Sequence, residues 1–166
     1  MENPNEFRAD LIEISVSGVV KTEHVFHAAD GVLGVLNLNG MISKGEFRGA
    51  DGSELTLEKT NFWKSEYQLF DGGEILATAN SPKVFKRAYE IKYEGQSMRL
   101  EPRGSKLRSW TVLDADDHPI CEIKPRGAFK RGAVIHLFSP AALGLLALAY
   151  TLVSKRWQEE NSAAAA

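Results

Sequence analysis

Between residues 83 and 131 the chain carries 12 Lys/Arg against 7 Asp/Glu, although its formal net charge is −2. Lys83, Lys86, Arg87, Arg103, Lys106, Arg108, Lys124, Arg126, Lys130 and Arg131 fall near strand ends and turns. Ammonium and guanidinium groups that converge on one surface are suited to holding phosphate oxygens, with charge-assisted hydrogen bonds as the gain. These ten residues are therefore the candidate ligand-binding surface. Nucleic acid would also need rings stacked among the charges. Phe85 and Phe129 are at hand, but strand alternation can bury both, so nucleic acid is not the expected partner. The competing reading is intramolecular. Residues 1–82 hold 6 Lys/Arg against 13 Asp/Glu, and the two halves could simply neutralise each other.

Other reactive groups are sparse. In "HVFH", His24 and His27 stand three apart, which in a strand sends them to opposite faces, so one metal cannot easily take both. "DADDH" (114–118) gathers three carboxylates and a His. A calcium loop needs ligands spread over a longer loop with a Gly and a closing Glu, so a solvated hairpin tip is expected instead. Cys121, the single cysteine, lies in "PICEIK" without a basic neighbour to lower its pKa and reads as a small buried hydrophobe. The sequence has no G-x-S-x-G elbow, P-loop or dinucleotide fingerprint. No catalytic residue, metal ligand set or cofactor is assigned, and a non-enzymatic role is expected.

The elements that must position these groups are short. Runs rich in Val, Ile, Leu, Phe, Tyr and Trp alternate with Gly, Asp, Asn and Pro at hairpin spacing. Strands are expected near 11–17, 19–27, 32–38, 41–48, 53–59 and 62–70, then near 74–79, 84–93, 97–102, 107–114, 119–124 and 129–137. "ADG" at 29–31, "NG" at 39–40, "ADG" at 50–52 and "DGG" at 71–73 supply residues that tolerate positive φ. Residues 52–87 also align with 95–131: Gly52 with Gly95, Leu57 with Leu100, Tyr67 with Trp110, Asp71 with Asp114, and the closing "FKR" with "FKR". Two copies are too few for a propeller but suit a strand meander repeated within one barrel.

"SPAALGLLALAYTLVSKRW" (139–157) has no charge from Pro140 to Val153 and is apolar on every helical face, so it must be buried. Ser139 suits an N-cap and Pro140 the first helical position, which gives a helix of about 140–159. Those fourteen uncharged residues span roughly 21 Å at about 1.5 Å each, against a bilayer core of about 30 Å. The helix is short for a membrane and suits the bore of a β-barrel.

About twelve strands followed by one hydrophobic C-terminal helix resemble the tubby C-terminal-like superfamily, and most its LURP-one-related and phospholipid-scramblase-like branch. "YEIKYEGQSMRLEPRG" (89–104), "SWTVLDADDHPICEIKPRG" (109–127) and the helix carry the resemblance, which covers about residues 10 to 160. It implies a twelve-stranded antiparallel barrel enclosing the terminal helix. Tubby domains bind phosphoinositide head groups through basic surfaces and scramblases are membrane-associated, so the resemblance implies anionic lipid head groups or a membrane surface as partner. Where scramblases have an acidic, calcium-binding-like segment, residues 127–139 are basic and then apolar, so calcium-linked scrambling is not expected.

The expected protein is thus mainly β: residues 1–10 a flexible N-terminus, 11–160 a tubby-like barrel with its helix, and 161–166 a flexible tail. Its expected role is a non-enzymatic binding module for anionic lipid head groups or another phosphorylated ligand. The alternative is a membrane-anchored, scramblase-like protein with residues 134–153 in the bilayer. The opening "MENPNEFRAD" lacks the basic patch and apolar run of an export signal, so a cytoplasmic protein, peripheral at most to a membrane, is expected.

Overall fold

The computed structural model describes residues 6–7, 10–61, 66–81, 88–104, 108–127 and 130–165. Twelve antiparallel strands close into a barrel in which nearly every strand pairs with its neighbours in sequence. They are β2 (Leu11–Ser17), β3 (Lys21–Ala28), β4 (Gly31–Asn39), β5 (Lys44–Gly49), β6 (Glu54–Asn61), β7 (Glu66–Asp71), β8 (Glu74–Asn80), β9 (Tyr89–Tyr93), β10 (Gln96–Arg103), β11 (Ser109–Leu113), β12 (Pro119–Pro125) and β13 (Gly132–Leu137). The barrel is sealed where β13 pairs with β2, Gly132 opposite Ser15 and His136 opposite Leu11. Closure leaves no barrel strand with an open edge. Each of the twelve expected strands is present. The three-strand unit β6–β8 is repeated by β10–β12: Leu57 and Leu100, and Tyr67 and Trp110, are buried at equivalent places. "FKR" at 85–87 lies outside the described residues, as does Phe129 of its counterpart.

Eight strands leave room only for side chains inside a barrel; twelve leave room for more. Here the bore holds α1 (Leu143–Ala165). Nine consecutive residues, Leu145 to Val153, are each at most 3% exposed, so every face of that stretch is covered. Ala147 and Ala149 let strands come near, while Leu145, Leu146, Leu148, Leu152 and Val153 pack with inward Ile12, Phe26, Leu36, Leu57 and Ile135 in one core. At Gly144 the approach is closest: a Cβ there would lie 2.7 Å from the Tyr93 hydroxyl and 3.0 Å from a Leu55 methyl.

The structure differs from four expectations about the two end segments. Ser139 and Pro140 do not start the helix. Ala141–Ala142 are extended as β14, paired with β1 (Glu6–Phe7), and the helix begins at Leu143. A strand partner satisfies the Ala141 and Ala142 backbone before the helical ladder begins. Glu6–Phe7, expected in a free N-terminal segment, supplies that partner. The C-terminal boundary also moves, because Asn161–Ala165 continue α1 and alanine is the strongest helix former. Finally, residues 134–153 are not one continuous apolar segment: they are divided among β13, β14 and the enclosed part of α1. Among the described residues no helix is long and apolar enough to cross a membrane.

Candidate functional site

A barrel of next-neighbour hairpins sends successive connections to alternate ends, and here the two ends carry opposite charge. At the end where α1 enters, the turns β3–β4, β5–β6, β7–β8, β9–β10 and β11–β12 contain Asp30, Asp51, Glu94, Asp114, Asp116 and Asp117 and no Lys or Arg. At the end where α1 leaves, the described residues of the connections include no Asp or Glu. Their basic residues include Arg108, Arg126, Lys130 and Arg131, with Lys21, Lys44 and Arg103 at the adjoining strand ends. The chain also leaves β8 and re-enters β9 at this end; Lys83, Lys86, Arg87 and Lys106 lie outside the described residues.

The six described members of the predicted surface all belong to the helix-exit end, but they are not equally available. Lys124 lies 3.4 Å from Glu122, and Arg126 lies 3.9 Å from Glu13. Arg108 faces Glu160 at 3.7 Å and stacks its guanidinium 5.5 Å from the Trp157 ring. Arg131 donates to the Gly18 carbonyl at 2.6 Å, across the β2–β3 turn. Arg103 and Lys130 are exposed, with no ion pair to a carboxylate of the described residues. Exposed ion pairs are worth little, so a phosphate can compete for the paired cations too. Lys21 and Lys44, both exposed, join this end although they come from the acidic half of the sequence.

Beside the emerging helix is a cleft of about 510 Å³, lined by Thr22, His24, Asn39, Arg131, Tyr150 and Trp157 among others. His24 and His27 face opposite sides of β3, as strand geometry requires. His27 is bonded to Ser15 outside the bore, whereas His24 points inward to the Tyr150 hydroxyl, 2.6 Å from Nδ1. Its Nε2 lies 2.7 Å from Thr22 Oγ1. Burial first, and the nearby Arg131 charge second, push the His24 pKa down to about 4. Burial pushes Tyr150 up to about 12. The Thr22–His24–Tyr150 chain has the connectivity of a hydroxyl and its base, but an imidazole with so low a pKa is a weak base near pH 7. It ties helix to barrel and leaves the cleft floor neutral beneath a positive rim.

The remaining candidates stand apart from this face. Asp114, Asp116 and His118 at the helix-entry end bring potential metal-ligand atoms within 4.8 Å of one another. The Asp114 carboxylate already accepts the amides of Asp116 and His118, both at 2.9 Å, while Asp117 pairs with Arg99, which makes this a hydrogen-bonded hairpin tip. Cys121 is fully buried and its thiol is pushed up to about 12, leaving little thiolate near neutrality.

Sequence reasoning missed Lys21 and Lys44, and three apolar residues, Val19, Val20 and Met41, that stand on the same end. The expected strands 19–27 and 41–48 absorbed those three; the strands begin instead at Lys21 and Lys44. A usable signal was present. Asp30, Asp51, Asp71, Glu94 and Asp114 recur roughly every 21 residues, two strands apart, as one end of a meander requires.

The fold is similar to that in an X-ray structure of a protein from Arabidopsis thaliana, with a TM-score of 0.56 over 90% of this chain and 91% of that one, at 17% identity. At that identity the likeness concerns the fold alone. No protein-family model matches the sequence, and no curated protein matches it.

Proposed function

We propose that this barrel is of the tubby-like type, in its LURP-one-related and scramblase-like branch, and acts as a non-enzymatic binding module for phosphorylated ligands, anionic lipid head groups above all. The observation that carries this reading is the sorting of charge by barrel end: the described residues of the helix-exit connections include Lys and Arg without a single Asp or Glu. Such a face attracts phosphate from a distance and orients the molecule before contact. The acidic far end adds to the torque. Arg131 lines the cleft above the neutral His24, and Arg103 and Lys130 are exposed donors on the same end of the barrel.

The test is co-sedimentation with phosphatidylcholine vesicles, alone or containing phosphatidylserine or a phosphoinositide, at 0.05 and 0.3 M salt. Binding is expected only with the anionic vesicles and is expected to weaken with salt, because exposed charges are screened within about 8 to 10 Å at physiological ionic strength. R103E/K130E should bind several-fold more weakly, whereas D51N/E94Q at the far end should not. Inositol hexakisphosphate in a parallel titration separates a free phosphorylated ligand from a lipid. Equal association with neutral and anionic vesicles, together with no inositol phosphate binding, would overturn the reading.

A further inference from the structure

Val19, Val20 and Met41 are the most exposed large apolar side chains described, at 88%, 78% and 66%. All three occupy the helix-exit end, on the β2–β3 and β4–β5 connections. These two connections abut, since the Val20 carbonyl lies 3.1 Å from where a Cβ on Gly40 would stand. Exposed apolar groups scattered singly need no explanation, but three gathered at adjoining loop tips do.

Both tips are also held firmly in place. Arg131 donates to the Gly18 carbonyl beneath the valines. Under Met41 the helix reaches out twice: Lys155 donates to the Met41 carbonyl at 3.0 Å and Gln158 to the Gly40 carbonyl at 2.8 Å. Ile42 next to it has a φ of +49°, a conformation β-branched residues seldom adopt. It is kept there by its amide bond to the Asn39 carbonyl and by the Tyr67 hydroxyl, which donates to the Ile42 carbonyl at 2.7 Å. That turn buries Ile42 and leaves Met41 outside. The fold thus sustains strained backbone at the point where it displays an apolar side chain to solvent.

We infer that Val19, Val20 and Met41 form an apolar wedge that enters the interfacial layer of an anionic bilayer when the basic end docks. The inference rests on the reading of that end as an anionic-lipid face and deepens it, because a wedge commits the phosphate to a lipid head group. Charge complementarity selects the occupant: exposed Lys21 and Lys44 immediately follow the two tips, and no carboxylate lies in either connection. Exposed Leu11, Val32, Ile75 and Phe138 belong to the acidic end, which an anionic surface repels. Paired apolar and cationic contributions are the usual requirement for reversible binding at a membrane surface.

The test uses the full chain carrying V19C labelled with a polarity-sensitive dye; buried Cys121 is protected from the reagent. With vesicles containing phosphatidylserine, the dye should shift to the blue and be quenched by acyl-chain-brominated lipid, while the same dye at I75C should do neither. V20S/M41S should lower partitioning into these vesicles several-fold at 0.3 M salt and leave inositol hexakisphosphate binding unchanged. Vesicle binding without quenching at V19C overturns the wedge and leaves the head-group reading standing. Inositol phosphate binding without vesicle binding overturns the wedge and makes the ligand a free phosphate. Failure to bind either overturns both readings.

Discussion

His24 on β3 and Tyr150 on α1, 126 residues apart, share a 2.6 Å hydrogen bond inside the barrel mouth. The rings also meet edge-on, with centroids 5.3 Å apart. Neutral imidazole donates from one nitrogen and accepts at the other, so Thr22 and Tyr150 together satisfy it without a charge.

That arrangement makes stability depend on pH in a definite direction. In the unfolded chain His24 takes a proton near pH 6.5, and in the fold only near pH 4. Between these values the unfolded state binds the extra proton. Stability is therefore fully present above about pH 6.5 and declines as pH falls toward 4. The shift corresponds to a loss of up to about 3 kcal/mol. Urea unfolding of the wild type and H24Q across this range should show a shallower acid slope for H24Q; parallel slopes would contradict the assignment.

The enclosed part of α1 should behave as core. Leu148 is fully buried in the enclosed part of the helix, and L148A should cost about 2 to 5 kcal/mol, because the barrel wall cannot close around the missing methyls. Unfolding with an unchanged far-ultraviolet spectrum would measure it. A loss below about 0.5 kcal/mol would mean that the helix is not enclosed.

Gly144 tests the opposite error. Replacing a helical glycine usually stabilises by up to about 1 kcal/mol, but the Tyr93 hydroxyl and Leu55 already occupy the space a side chain would need. G144V should destabilise by about 1 to 3 kcal/mol. The double variant G144V/Y93F should recover part of this if the hydroxyl is the obstacle.

Tyr67 should matter locally more than globally. Y67F removes the donor to the Ile42 carbonyl and should cost about 1 to 3 kcal/mol. Hydrogen exchange should also quicken at the Ile42 and Ser43 amides, which the β4–β5 loop bonds to Asn39. Exchange quickened uniformly along the chain would point to global loosening instead.

Strands and core were legible because a closed antiparallel meander writes itself locally: inward and outward residues alternate, and glycine-rich turns end each run. The uncharged helix announced its burial for the same reason. Charge was misread because it was summed along the chain, whereas a meander alternates its turns between two ends. Lys21 and Lys44 thus looked like isolated cations in an acidic half. Val19, Val20 and Met41 looked like strand residues because their β propensity extended the strands that follow. The start of α1 was hidden because β1, the partner that holds Ala141–Ala142 extended, comes from the far end of the sequence. No local pattern could have joined His24 to Tyr150.

The helix that fills the bore follows all twelve barrel strands in sequence, so it is synthesised after them. When β2 to β12 have left the ribosome, the strand that seals the barrel, β13, and the plug that supplies its apolar interior are both still to come. The inward faces of eleven strands must wait for residues beyond Gly132, and pairing β13 with β2 joins the first barrel strand to the last. Contacts so distant in sequence make for slow folding and leave apolar surface exposed in the meantime. A nascent chain stalled before Leu143 should therefore be held by chaperones and readily cut by protease, and emergence of α1 should be the step that makes it resistant.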